Sequence, residues 1–303
     1  MAKITIIGAG TWGLGIAILL ANNGHQVRVW SAVPAELEAL RSNREPRNLP
    51  GALLPESVEL VDSPAEIIRD ADLLIMAVAS VYTRRTAALL SAYIRKDQII
   101  VSVAKGIEEQ SLAPLSRQIE EEIPQADVAV LSGPSHAEEV SRGLPTTCVA
   151  GARSQKTAEY IQNIFMSSVF RVYTSPDVLG IELGGALKNV IALAAGMADG
   201  LGYGDNTKAA LITRGMAEMA RLGLKMGASE KTLYGLSGIG DLIVTCASMH
   251  SRNRRAGILI GQGYSMEEAM KEVNMVVEGV YSAKAAKALA VKYQVNMPIV
   301  AEV

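Results

Sequence analysis

The sequence predicts an α/β domain, with a largely parallel sheet covered by helices on both faces, followed by an all-α domain. Three observations carry that expectation. Short apolar runs of strand length alternate with helical patterns over residues 1–176, and a glycine-rich turn links the first run to the first helix. After "FRVYTSPD" (170–177) long helical stretches punctuated by glycine take over. The domains are therefore placed at 1–176 and 177–303; with no Pro- or Ser-rich linker and no internal repeat, they are expected to pack closely.

The elements follow in order. "KITII" (3–7) reads as a strand, "WGLGIAILLANNG" (12–24) as a helix ended by Gly24, and "QVRVW" (26–30) as a second strand, which makes a βαβ unit. Further strands are expected at "VELV" (58–61), "LLIMAV" (73–78), "IIVSVA" (99–104), "VAVLS" (128–132) and "TTCVAG" (146–151). One intervening helix opens with Ser63, Pro64 and Glu66, which read as capping residue, first-turn proline and reaching-back carboxylate. Repeated alternation of this kind implies parallel strands buried on both faces.

Composition narrows the function classes. The 303 residues are 49% hydrophobic with 27 glycines, enough for about two domains with sizeable cores. A formal net charge of -2 with 20% charged residues gives no broad basic field, which argues against nucleic acid as a partner. The N-terminus runs straight into a strand pattern without a signal peptide, and no segment is expected to reach membrane-spanning length. Cys148, Cys246, His25, His136 and His250 show no short metal-ligand spacing or disulfide framework, so a reduced cytoplasmic protein without a metal is expected.

Between the first strand and helix lies "GAGTWG", in which Gly8, Gly10 and Gly13 fit G-x-G-x-x-G around Thr11 and Trp12. The first glycine permits the tight turn, the second lets a pyrophosphate approach the backbone, and the third allows close helix packing. The helix N-terminus then faces the anion. Placed between strand and helix at the head of an alternating domain, the turn predicts a dinucleotide-binding Rossmann domain.

A second group of residues stands out for chemistry. "GALKNVIALAAGM" (185–197) reads as a helix apolar on most of its circumference, yet it holds Lys188 and Asn189. Gly184 and Gly185 lie one turn earlier on the same face, which leaves space beside the ammonium and suggests a ligand; the alternative is a lysine that snorkels out from the edge of a core helix. Lys105 in "AKGIE" (104–108), and Gly133 and Ser135 in "SGPSHAEEV" (132–140), fall where strands should end and where an open α/β sheet binds its ligand. "SGIGDLIVTCASMHSRNRRAG" (237–257) sets Asp241, Arg252 and Asn253 in glycine-rich or polar surroundings. Read alone, Lys105 is equally a solvated loop lysine, Asp241 equally a helix cap, and "SRNRR" a surface loop.

Together these segments resemble the bacterial type of NAD(P)-dependent glycerol-3-phosphate dehydrogenase. The resemblance runs through "GAGTWG", "LPG" (49–51), "KGIE", "SGPSHAEEV", "GALKNVIALAAG", "NTKAALITRG" (206–215), "GDLIVTC", "HSRNRRAG" and "VVEGV" (276–280). It implies a Rossmann domain and a helical domain with the active site in the cleft they form. It also implies reduction of dihydroxyacetone phosphate to sn-glycerol 3-phosphate with NADPH or NADH, for glycerophospholipid synthesis, by a homodimer. On the matching motifs, Lys188 is implied to be the proton donor and acceptor at the reacting carbon, with Asp241 setting its charge and Asn189 and Thr245 in support. Arg252 and Asn253 are implied to grip the substrate phosphate, and Lys105, Gly133, Ser135 and Ser251 to line the rest of the pocket. Gly8, Gly10, Thr11, Trp12, Gly13, Ser31, Ala32, Lys105, Ala137, Arg252, Val276 and Glu278 match cofactor-contacting positions.

The chain departs from the family pattern at Ala79, where proline is usual, at Ala104 in place of threonine, and at His136, where phenylalanine is common and packing is the expected role. The family pattern also continues with further helix beyond "MPIV". Two rival classes keep part of the pattern: a hydroxy-acid dehydrogenase would lack the Arg252 cluster, and a nucleotide sensor would need only the glycine turn. For the cofactor, "QVRVW" runs into Ser31 and Ala32 with no acid until Glu36 and no arginine directly after Trp30. Both cofactors are therefore expected to be accepted, with a lean to NADPH. Arg41 and Arg44 remain unassigned.

Overall fold

A computed structural model describes residues 1–68 and 70–303, with the side chains of Glu66 and Ile67 also outside the description. The contact expected of the Glu66 carboxylate therefore lies outside the described residues. The first part of the chain runs β1 (Lys3–Ile7), α1 (Thr11–Asn22), β2 (Gln26–Trp30), α2 (Pro34–Asn43), β3 (Glu59–Leu60), α3 (Pro64–Ile68), β4 (Leu73–Met76) and α4 (Thr83–Leu90). It continues through β5 (Ile99–Ser102), α5 (Leu115–Glu122), β6 (Asp127–Ser132), α6 (Ala137–Val140), β7 (Thr146–Gly151), α7 (Gln155–Phe165) and β8 (Phe170–Ser175). Helices alone follow: α8 (Val178–Gly200), α9 (Asp205–Met226), α10 (Glu230–Leu233), α11 (Asp241–Ala247), α12 (Arg252–Gly261), α13 (Met266–Val273), α14 (Glu278–Tyr293) and α15 (Pro298–Glu302).

The eight strands form one sheet in the order β3-β2-β1-β4-β5-β6-β7-β8. β1 pairs in parallel with β2 and β4, and the pairs β2–β3, β4–β5, β5–β6 and β7–β8 are parallel as well. Successive side chains of β4 enter opposite cores: Leu73 and Ile75 join one cluster with Ile16 and Leu20 of α1, while Leu74 and Met76 join another with Ala87 and Leu90 of α4. The period of two thus buries both faces of the sheet, which is why its strands read as continuous apolar runs. β8 is an eighth strand that the apolar pattern does not reveal. It lies at the end of the sheet, with Phe170 and Val172 buried and Arg171 and Tyr173 exposed between them.

Two compact units result: residues 1–104, 115–131 and 135–178 make one, and 105–114, 132–134 and 179–303 the other. The short segments 105–114 and 132–134 thus group with the helices, although the first follows β5 and the second begins with the last residue of β6. In the first unit the chain order reverses direction between β1 and β4, the switch point at which open α/β sheets bind ligands. Gly8 leaves β1 there with φ +114°, and a methyl on it would lie 3.0 Å from the carbonyl carbon of Ala77, just beyond β4.

In the helical unit, α8 is the central element. Its 23 residues reach a mean hydropathy of 1.5 over their most apolar window, so the expectation that no segment is long enough to cross a membrane is corrected on length and composition. The reason lies in packing: 89% of that window is buried within the protein, and a helix surrounded by other helices is apolar all round. Part of that cover is α12, which approaches so closely that backbone meets backbone. A methyl on Gly196 would run into the Arg254 carbonyl oxygen, and one on Gly257 into that of Leu193. Gly196→Ala should therefore lower the free energy of unfolding by about 1–3 kcal/mol, the usual range for overpacking, as read from urea denaturation. An unchanged midpoint would mean that α12 can withdraw without cost.

Candidate active site

The side chain of Lys188 does not snorkel. It is 7% exposed, with Nζ donating to Asp241 Oδ1 over 3.0 Å and to Thr245 Oγ1 over 2.7 Å. The other oxygen of the same carboxylate takes Lys105, whose Nζ lies 2.6 Å from Asp241 Oδ2 and 2.9 Å from the Gly133 carbonyl. Thr245 donates its own proton to the Asp241 carbonyl at 2.6 Å, which leaves its lone pairs to accept from Lys188. An ammonium has three N–H groups, and Lys188 commits two of them among the described residues.

Local structure explains how Asp241 arrives there. A π-type turn at Leu236–Gly240 runs directly into α11, of which Asp241 is the first residue. Such turns widen the helix at functional sites. The turn presses on α8 at Gly184, where a methyl would stand 2.6 Å from the Ser237 carbonyl oxygen. Gly185 meets the other lysine: a methyl there would lie 3.0 Å from Ser132 Oγ and 3.3 Å from Lys105 Cγ. The expected gap beside the two glycines is therefore filled by the chain itself, because a missing Cβ admits a neighbour's backbone or stem as readily as a ligand. Ser132, which no motif singles out, is buried here with no hydrogen-bond partner for its hydroxyl.

The charges reinforce one another unequally. Burial pulls the Lys188 ammonium from 10.5 down to about 8, with the Asp241 charge opposing that shift and Lys105 adding to it. For Asp241, burial acts upward, but the Lys105 and Lys188 charges outweigh it and hold the carboxyl below its ordinary value. Burial pushes the neighbouring Cys246 thiol up to about 12, so it stays neutral. One carboxylate is thus shared by two ammonium groups, which leaves an excess positive charge in a dry site.

A second polar group lies around α12. Ser251 caps the helix, its hydroxyl accepting from the Arg254 N–H at 3.2 Å, and half-buried Arg252 donates Nη1 to the Val276 carbonyl at 3.1 Å. Asn253 engages both atoms of its amide: Nδ2 donates one N–H to Asn189 Oδ1 at 2.9 Å and Oδ1 accepts from the Gly279 N–H at 2.8 Å, in the first turn of α14. Asn189 accordingly accepts from Asn253, which ties the residue after Lys188 to the start of α12. Although the two asparagines lie 64 positions apart, each adjoins a charged residue of its own helix, Lys188 or Arg252.

The glycine turn belongs to the first unit. Gly10 stands at the N-cap of α1 with no side chain capping the helix, and nothing lies within 4 Å of where its Cβ would be. Thr11 Oγ1 is buried without a partner at the same end, and Trp12 packs half-buried on the core. An open cradle at a helix N-terminus fits a pyrophosphate. Gly13 meets the Gly8 carbonyl oxygen, and α6 brings Ala137 against Gly15 of α1, at 3.3 Å from a methyl placed there. Ser135 is half-buried in the same unit. At the end of β2, Ser31 Oγ accepts from the Val33 N–H and donates to Glu36 Oε2 at 2.6 Å, while Ala32 is exposed. An acid thus returns to the strand end, because α2 begins at Pro34 and its first turn carries Glu36 back. Arg41 is held by Asp62 at 2.9 Å, and Arg44 donates to the Val58 carbonyl at 2.9 Å, so both serve the fold.

The family model described as NAD-dependent glycerol-3-phosphate dehydrogenase N-terminus matches residues 3–158, and the corresponding C-terminus model matches 177–303. A protein from Agathobacter rectalis named glycerol-3-phosphate dehydrogenase [NAD(P)+] is 64% identical over 100% of this chain and 90% of its own length. One of the same name from Fusobacterium nucleatum is 57% identical, over 100% and 91%. The crystal structure of glycerol-3-phosphate dehydrogenase from Coxiella burnetii superposes with a TM-score of 0.96 at 33% identity, covering 99% of this chain and 93% of that one. With both halves matched and the charged cluster in place, the chain belongs to the NAD-dependent glycerol-3-phosphate dehydrogenase family.

Proposed function

We propose that this chain reduces dihydroxyacetone phosphate to sn-glycerol 3-phosphate with NADH or NADPH, Lys188 supplying the proton. The observation that carries this reading is the buried Lys188–Asp241–Lys105 cluster, in which two ammonium groups share one carboxylate. A nicotinamide cofactor, when bound, would supply a hydride to the carbonyl carbon. As that bond forms, the carbonyl π pair moves onto oxygen, and the excess positive charge of the cluster is placed to stabilise it. The third N–H of Lys188 then passes to the oxygen, giving the alcohol and leaving a neutral amine; in oxidation the same amine takes the proton back. Asp241 holds Lys188 in place and keeps it charged despite burial. Arg252 takes the phosphate, with Ser251 fixing the start of its helix, and Lys105, Gly133 and Ser135 complete the substrate pocket. Gly8, Gly10, Thr11 and Gly13 hold the pyrophosphate at the N-terminus of α1, with Trp12, Ser31, Ala32, Ala137, Val276 and Glu278 as further cofactor contacts. We assign the product to glycerophospholipid synthesis, and the enzyme to the cytoplasm as a homodimer, on family likeness; the deep burial of α8 fits an enzyme working in water.

Replacing Lys188 with Met should slow turnover roughly 100- to 10,000-fold while NADH binding, followed by fluorescence, persists. The donor must be protonated for reduction, so kcat/KM for the ketone should be level at lower pH and fall as pH rises through about 8, whereas oxidation of the alcohol should rise there. A reduction profile level from pH 7 to 9.5, or a Met variant of normal rate, would remove Lys188 from the role.

Arg252→Ala should strongly reduce activity on dihydroxyacetone phosphate but barely alter the weak activity on dihydroxyacetone, since a charge-assisted contact to phosphate exists only for the first. Equal losses on both would assign Arg252 to the cofactor or the fold.

Against the expected lean towards NADPH, we propose that Glu36 biases the site towards NADH. Its carboxylate, held by Ser31 at the end of β2, would oppose a 2′-phosphate and suit a ribose hydroxyl. In Glu36→Gln, the ratio of kcat/KM for NADPH to that for NADH should rise; an unchanged ratio would show that this carboxylate does not face the ribose.

A further inference from the structure

Lys105 reaches Asp241 from a short stretch of chain that is folded onto itself. Residues 107–114 close as a hairpin: Ile107 and Pro114 pair across an antiparallel bridge, the Glu108 N–H donates to the Ala113 carbonyl at 3.0 Å, and the Leu112 N–H donates to the Glu108 carbonyl at 3.0 Å. The Ser111 hydroxyl secures the turn, donating to the Glu108 carboxylate and accepting from the Ala113 N–H at 3.1 Å. This closure returns Leu112 to the apolar core that Ile107 also enters, shared with Leu183 and Leu187 of α8 and Leu242 of α11. Leu112 takes a left-handed backbone with φ +59°, a conformation that costs a leucine more than a glycine or an asparagine. A leucine held there in spite of that cost is held by its packing.

Two residues before Ile107 stands Lys105, whose flexible stem does not hold one geometry by itself. Its ammonium is fixed by Asp241 and the Gly133 carbonyl, and its Cγ lies 3.3 Å from a methyl placed on Gly185 of α8. The hairpin restrains the backbone end, since two residues of chain reach only about 7 Å. We propose that the hairpin 107–114 is the anchor that holds Lys105 on Asp241, with Ile107 and Leu112 as positioning residues for the proton step. This rests on the reading of Lys188 as the proton donor. Asp241 divides its two oxygens between Lys188 and Lys105, so whatever secures one lysine sets how much of the carboxylate is left to the other. Lys188 faces Asp241, Thr245 and Cys246 of α11 together with Lys105, and of these only Lys105 adjoins the hairpin. Loosening the hairpin withdraws one positive charge and returns the whole carboxylate to Lys188. Both changes make Lys188 keep its proton to higher pH.

Two substitutions test this: Leu112→Asn, which suits the left-handed turn but removes the apolar contact, and Ile107→Ala, each assayed alone and combined with Lys105→Met at saturating NADH. Each alone should lower kcat/KM for dihydroxyacetone phosphate on the order of 10- to 100-fold, and the fall of reduction with rising pH should move above the wild-type position of about 8. Ile107→Val, which keeps the branched side chain, should hold both near the wild-type values. In the Lys105→Met background neither substitution should cost anything further or move the profile, because the ammonium that it releases is already absent. Additive losses in that cycle, or a profile that stays at the wild-type position while kcat/KM falls, would make the hairpin a purely structural loop and overturn the anchor. Wild-type values in both single variants would overturn it as well. Should Ile107→Ala fail to fold by circular dichroism, Leu112→Asn, at a half-buried position, runs through the same cycle with the same criteria. A wild-type profile with no fall at alkaline pH removes Lys188 as the donor, whereas the cycle in kcat/KM decides the anchor either way.

Discussion

A carboxylate 2% exposed to solvent is the constraint around which the helical unit is organised. Stripping Asp241 of water is expensive, and the cost is offset only by charged donors with good geometry, which Lys105 and Lys188 supply on its two oxygens. Satisfying it draws three distant stretches of chain together: the segment after β5, the middle of α8 and the start of α11. This accounts for the grouping of 105–114 and 132–134 with the helices, since Lys105 is bound to Asp241 and to the Gly133 carbonyl. A carboxylate with two cations cannot neutralise both, and the remaining positive charge suits a substrate whose oxygen becomes negative as it reacts.

How far this was legible in the sequence depends on the range of the interaction. The glycine turn was readable because its logic is local: Gly8 and Gly13 each answer a backbone demand within one turn of strand or helix, and Gly10 leaves the helix N-terminus open. The parallel sheet was readable because burial on both faces leaves a continuous apolar run, whereas β8, exposed at alternate residues, leaves a weaker trace. The burial of α8 followed from its composition. The destination of its lysine did not, because Asp241 lies 53 residues away and nothing in the local pattern around Lys188 points to it. There the family resemblance supplied the pairing that periodicity could not.

The misreadings share a cause, which is that a residue's neighbours in space were inferred from its neighbours in sequence. Gly184 and Gly185 suggested a ligand cavity, but the missing side chains admit the Ser237 backbone and the Lys105 stem. The strand end reads as free of acid until Glu36; a helix starting at Pro34 folds those five residues of separation into a 2.6 Å hydrogen bond with Ser31. Lys188 and Asn189 are adjacent, yet consecutive residues on a helix point about 100° apart and these two bond to different partners.

That divergence of Lys188 and Asn189 shows how one helix can serve two physical tasks. Where electrons move, the protein uses charge, because a developing oxyanion responds to an ammonium at short range in a medium that screens little. Where helices meet, it uses neutral amides and bare backbone, whose contacts are short-ranged and steeply dependent on separation. A charged residue in place of Asn189, which is 3% exposed, would bring an unpaired buried charge next to that lysine. The proton affinity of Lys188 is set first by burial, with Asp241, Lys105 and Cys246 adjusting it.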